Sequence, residues 1–119
     1  MEPKMTILFM GKKSRITRHQ LLPIYMRVII GGNHFEVATH RHVEPMQWSP
    51  SSGKVTGRSD LATETNMALD LIKKRVYEYK EQLYIENRDF TVNSLREKWY
   101  DEDRNKRTLL GVFRSRMVG

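Results

Sequence analysis

β-Branched and aromatic residues dominate Pro23-Ile-Tyr-Met-Arg-Val-Ile-Ile30, with Arg27 the one charge among them, and apolar and polar residues alternate along His34-Phe-Glu-Val-Ala-Thr39. Between them Gly31-Gly-Asn33 is a strong turn signal, so the stretch predicts a β-hairpin. Pro23 stands at a strand start, where proline is tolerated. The short apolar run Met5-Thr-Ile-Leu-Phe-Met10 predicts a strand before the hairpin. Alternation then assigns faces. Ile24, Met26, Val28 and Ile30 point one way with Phe35 and Val37, a set suited to a core. Tyr25, Arg27 and Ile29 point the other way with His34 and Glu36, a mixed face with an arginine at its middle, as in a half-wet antiparallel sheet.

The period changes after residue 58. His40 to Gly57 reads as a loop containing Pro45, Trp48, Pro50 and Gly53. Ser59 or Asp60 can cap a helix running to Glu86 or Asn87, with Leu61, Thr65, Ala68/Leu69, Ile72, Val76, Tyr79 and Leu83 forming one apolar stripe. Asn87-Arg-Asp89 breaks it, and Thr91 caps a short second helix with Val92, Leu95 and Trp99 on one side. Asp101 to Arg107 is a charged linker, and Thr108-Leu-Leu-Gly-Val-Phe113 opens a further apolar segment.

Charge separates these parts. Residues 1–58 hold nine Lys/Arg against three acids and all four histidines, residues 59–103 hold seven basic against eleven acidic residues, and the last sixteen hold five basic residues and no acid. A basic β-type half on a mildly acidic helical half suits a surface meeting a polyanion. At 119 residues the chain makes one small domain, too small for a deep substrate cavity beside its core. Without cysteine there are no disulfides, thiolate chemistry or Cys-based zinc sites, which fits a reducing cytoplasm. No run approaches the roughly 18 apolar residues of a membrane span, and the helical part is net acidic, so nucleic acid ranks ahead of a membrane surface.

Candidate chemistry is sparse. Lys12, Lys13, Arg15, Arg18 and His19 precede a strand carrying Arg27, a set that can contact DNA phosphates and base edges or simply keep a loop solvated. His40 and His42 have a metal-site spacing on a strand but too few companions for a metal, so phosphate contact or plain exposure is the expectation. The tyrosines on or near helices (Tyr77, Tyr79, Tyr84, Tyr100) are read as packing aromatics, because nothing near them supplies a base or an arginine cage. Trp48 and Trp99 are read as core plugs. Gly31-Gly-Asn33 is no phosphate loop, and no serine has a His/Asp arrangement, so the chain is not itself an enzyme.

The order of these signals resembles a known family. Pro23-Ile24-Tyr25-x-Arg27, Pro45-x-x-Trp48, Gly53-Lys-Val-x-Gly57 and a long helix carrying Asn66 and Leu69 resemble the N-terminal arm-type DNA-binding domain of tyrosine recombinases (phage-type integrases), with the integrases of Bacteroides mobile elements nearest. The resemblance covers about residues 5–100. It implies an α+β fold, a three-stranded antiparallel sheet packed against a long helix with a short C-terminal helix. It also implies a division into residues 1–103 as the arm-type domain and 104–119 as linker and truncated start of a core-binding helical domain.

The function so implied is binding of double-stranded DNA at arm-type sites, with the sheet face in a groove, in a bacterial cytoplasm. Strand cleavage belongs to a domain absent from this chain. Tyr25 and Arg27 are expected on the DNA-facing surface, Lys12, Lys13, Arg15 and Arg18 on phosphates, and His34, Arg41 and His42 along the same basic surface. The expected core between sheet and helix is Ile24, Val28, Phe35, Trp48, Leu69, Ile72 and Val76. No cofactor, metal or small-molecule substrate is implied. Other integrase subunits are the second kind of partner, and the alternative function is a protein-interaction module docking another recombinase subunit or an accessory factor. Two positions depart from the family, which usually has glycine where this chain has Gln20, just before Leu-x-Pro, and His40, just after the third strand.

Overall fold

The computed structural model describes residues 4–101. Thr108 to Phe113, and with it the expected start of a further domain, lies outside the described residues. Three antiparallel strands, β1 (Met5–Gly11), β2 (Leu22–Ile30) and β3 (Asn33–Val43), form a sheet in that order. A two-stranded ribbon follows, β4 (Trp48–Ser49) paired with β5 (Lys54–Val55). The long helix α1 (Asp60–Ile85) and a short helix α2 (92–101) complete the α+β architecture.

Gly31 and Gly32 alone connect β2 to β3, with φ of +56° and +88°. A two-residue loop with positive φ at both positions matches the twist of the flanking strands, and glycine adopts it without steric cost. The faces follow the alternation: Ile24, Met26, Val28 and Ile30 are buried with Phe35 and Val37, while Tyr25, Arg27, Ile29, His34 and Glu36 occupy the other side.

The third strand runs past Thr39 to Val43, four residues beyond the expected end. Tyr25 pairs with Ala38 but Ile24 pairs with Arg41, so Thr39 and His40 are extra residues in a bulge. His40 takes a φ of +64°, and the Thr39 hydroxyl ties the irregularity down by donating to the Ile24 carbonyl at 2.7 Å and accepting from the Arg41 N–H at 3.2 Å. The expected loop 40–57 therefore holds the end of a strand, a 3-10 turn (Pro45–Gln47) and the β4–β5 ribbon.

Ser59 caps α1, its hydroxyl accepting from the Ala62 N–H at 3.1 Å. The buried stripe is Ala62, Thr65, Leu69, Val76, Tyr79 and Leu83, with Ile72 partly buried. Leu61, expected in that stripe, is 68% exposed and Ala62 takes its place at 2%. The helix start abuts Val43, Trp48 and Val55 in one cluster, where Trp48 already fills the space and a short side chain permits close approach. The remainder of α1 packs on Met26, Val28, Ile30, Phe35 and Val37 in a second cluster.

Thr91 caps α2, its hydroxyl accepting from the Ser94 N–H at 3.1 Å, and Leu95 and Trp99 turn inward. Trp99 meets Tyr79 edge-on at 6.1 Å and lies under the Arg75 guanidinium at 4.2 Å. Of the helix-borne tyrosines only Tyr79 packs inside. Tyr77 and Tyr84 lie off the α1 stripe that passes through position 79 and are 45% and 52% exposed, and Tyr100, beside the inward Trp99 on α2, is 48% exposed. No helix among the described residues is long and apolar enough to cross a membrane.

Candidate nucleic-acid interface

The sheet face turned away from the helices carries three rows of side chains set by the ladder. Thr6, Ile29 and His34 form one row, Leu8, Arg27 and Glu36 the next, and Met10, Tyr25 and Ala38 the third. Arg27 thus sits on the middle strand in the middle row.

The connection after β1 folds over one end of this face. Lys12 donates its backbone N–H to the Pro23 carbonyl at 3.0 Å, and a 3-10 turn (Lys13–Arg15) closes with the Arg15 N–H on the Lys12 carbonyl at 3.0 Å. A second turn returns the chain to β2, with the Thr17 hydroxyl accepting from the Leu21 N–H at 3.1 Å and Gln20 at a φ of +64°. Gly11 makes the exit possible, since a Cβ there would lie 2.3 Å from the Leu22 side chain.

This folding gathers cations over one aromatic ring. The Lys12 ammonium lies 4.4 Å from the centre of the Tyr25 ring and the Arg15 guanidinium 5.9 Å from it. Glu36 joins the second half of the cluster. One of its oxygens meets Lys12 Nζ at 2.5 Å, while the other accepts from Arg27 Nε at 2.8 Å and from Arg27 Nη2. Its carboxyl is held below the ordinary value, first by the Lys12 hydrogen bond and then by that of Arg27, which together outweigh the opposing effect of partial burial.

Four of the expected site residues, Lys12, Arg15, Tyr25 and Arg27, therefore meet in one cluster. His34 is exposed on the same face, opposite Ile29 at the hairpin end. Lys13 and Arg18 are exposed on the connecting loop. His42 lies opposite Pro23, in line with the outer face, whereas the bulge sets Arg41 opposite Ile24, whose side chain faces the helix. Arg41 and His42 are both exposed. Glu36 is the site residue that pattern reading left without a role. Its signal was available, because a hairpin closed at Gly31-Gly32 puts positions 27 and 36 opposite each other. Among the described residues no three His, Cys, Asp or Glu side chains gather to hold a metal.

A basic, aromatic-centred sheet face on a helical scaffold is the setting in which the comparisons with known proteins speak. Residues 9–96 match the family model of the Arm DNA-binding domain. The chain belongs to that family. The Arm DNA-binding domain is the N-terminal arm-type domain of phage integrases, a DNA-binding and non-catalytic part of them. The match takes in β2, β3, the ribbon and α1, together with every residue of the cation cluster. No curated protein and no solved structure matches the chain significantly.

Proposed function

We propose that this arm domain binds double-stranded DNA at arm-type sites by laying its outer sheet face in the major groove, as the N-terminal part of a tyrosine recombinase acting in the bacterial cytoplasm. The observation that carries this reading is the convergence of Lys12, Arg15 and Arg27 around Tyr25 and Glu36 on the sheet face turned away from the helices. Three strands span about 10 Å between outer backbones. That width fits a major groove of about 12 Å and exceeds a minor groove of about 6 Å. Within the groove Arg27 faces base edges from the central strand, Leu8 beside it offers an apolar contact to a thymine methyl, and Lys12, Lys13, Arg15 and Arg18 take phosphates at the rim. His34 and His42 extend the contact along the face, and Arg41 does so from the strand edge.

A second reading, docking of another integrase subunit, draws on Met67 and Leu71, which are exposed one turn apart on the outside of α1. Fluorescence anisotropy with a labelled duplex of mixed sequence, titrated at several salt concentrations, separates the two. DNA binding gives an affinity whose logarithm falls linearly with the logarithm of salt, with a slope of about 0.9 per phosphate neutralised. An absence of binding at low salt rejects the DNA reading and leaves subunit docking.

A further inference from the structure

Glu36 is out of place on a surface whose other charged groups are cations. It stands in the central row with its side chain 19% exposed, and both its oxygens are engaged by the two cations nearest the middle of the face. A face evolved only to hold phosphates gains nothing from that carboxylate, which repels every phosphate brought to it. The geometry of the Arg27 pair gives it a different use. Glu36 takes the side edge of the guanidinium, Nε and Nη2, and leaves the Nη1–Nη2 end free to donate. That end is the fork that meets O6 and N7 of a guanine.

Resting on the DNA reading above, we propose that Glu36 is the positioning residue that sets sequence discrimination. It holds the Arg27 fork toward the base edges, and its charge weakens binding to DNA that offers only phosphates. The side chain is fixed before DNA arrives, so the ordering cost of a long flexible arginine is met within the folded domain. A matched site regains what the carboxylate costs through the bidentate base contact. A mismatched site does not.

The test uses the full 119-residue chain, as wild type, Glu36→Gln, Glu36→Asp and a charge-matched control, Glu64→Gln, on the exposed side of α1. Each is titrated against a labelled duplex of mixed sequence at several salt concentrations, and each is used to select from a pool of random-sequence duplexes. Thermal melts by circular dichroism establish that the variants are folded. Glu36→Gln is expected to bind the mixed duplex about tenfold tighter, with a salt slope steeper by about 0.9 for each phosphate gained, and to select a motif with weaker base preference. Glu36→Asp keeps the charge but shortens the reach, so it should bind the mixed duplex as weakly as wild type and still lose base preference.

The inference is overturned if Glu36→Gln leaves both the mixed-duplex affinity and the selected motif unchanged, or if Glu64→Gln reproduces its effects. If wild type and Glu36→Gln both fail to bind any duplex, the DNA reading itself is lost and the role of Glu36 with it. That outcome is distinct from the others, in which wild type binds.

Discussion

Asn66 pairs with both backbone groups of Val55: its Oδ1 accepts from the Val55 N–H at 2.9 Å and its Nδ2 donates to the Val55 carbonyl at 3.0 Å. One amide thereby ties the two-residue strand β5, and through it Trp48, to α1. A ribbon this short cannot be stable alone. Its position depends on that clamp and on the packing of Trp48 and Val55 against Ala62 and Leu69.

Asn66→Ala is accordingly expected to cost about 1–3 kcal/mol, the range for leaving partly buried backbone groups without partners. Asn66→Asp keeps the acceptor half but sets a second oxygen against the Val55 carbonyl, so its loss at neutral pH should be at least as large. Urea denaturation midpoints at unchanged m measure both. A loss below a few tenths of a kcal/mol in either variant would show that apolar packing alone holds the ribbon.

Gln20 and His40 share a backbone anomaly, each at a φ of +64°. They are also the two positions at which the resemblance drawn from the sequence implies glycine. Side chains with a Cβ are strained in this left-handed region, whereas glycine enters it freely at some entropic cost to the unfolded chain. Gln20→Gly is expected to stabilise the domain by about 0.5–1 kcal/mol, and His40→Gly by less, because histidine tolerates this region better than glutamine. Thermal or urea unfolding reads the difference. A destabilised Gln20→Gly would mean that the glutamine side chain makes compensating contacts.

How much of this molecule the sequence shows depends on the length over which a period can be followed. The nine residues of β2 alternate in burial without interruption, and Arg27, the one charged residue among them, marks the outer face, so Met26 and Val28 fall to the core from their spacing to it. The bulge at Thr39 and His40 hides the end of β3, since its two extra residues keep the phase but leave His40, Arg41 and His42 all exposed, so the run reads as a polar loop although Val43 is buried in step with Phe35 and Val37. Two-residue strands such as β4 and β5 are too short to show a period at all. On α1 the stripe is visible, yet hydropathy favours Leu61 over Ala62 when the packing needs the smaller residue. The cation cluster was half visible: charge marked Lys12 and Arg15, but only the fold of residues 12–21 sets them on Tyr25.

Glu36 also makes stability depend on pH in a defined direction. Its carboxyl titrates below the ordinary value in the folded state, because Lys12 and then Arg27 favour the ionised form. Its contribution is therefore fully present above the unfolded-state value of about 4.3 and is lost as pH falls through the lower folded-state value. The difference in unfolding free energy between wild type and Glu36→Gln should be constant from neutral pH down to about 5 and shrink below that. Urea denaturation of both proteins across this range measures it. A difference that does not change with pH would show that the carboxylate is not charge-paired in solution.

Arg27 offers the sharpest separation of base reading from phosphate holding. Its guanidinium serves Glu36 with one edge and has a second edge available, a division that the ammonium of lysine cannot reproduce. Arg27→Ala is expected to weaken binding to the selected site by about 1–3 kcal/mol while affecting unrelated duplexes much less, so that sequence preference relaxes at one base pair. Arg27→Lys should keep the salt slope of wild type, because the charge remains, but lose preference nearly as fully as alanine. Anisotropy titrations of the three proteins against the selected site and a duplex altered at each position in turn decide it. Equal losses on every duplex, with a slope reduced by about one phosphate, would assign Arg27 to the backbone and leave base reading to another residue of the face.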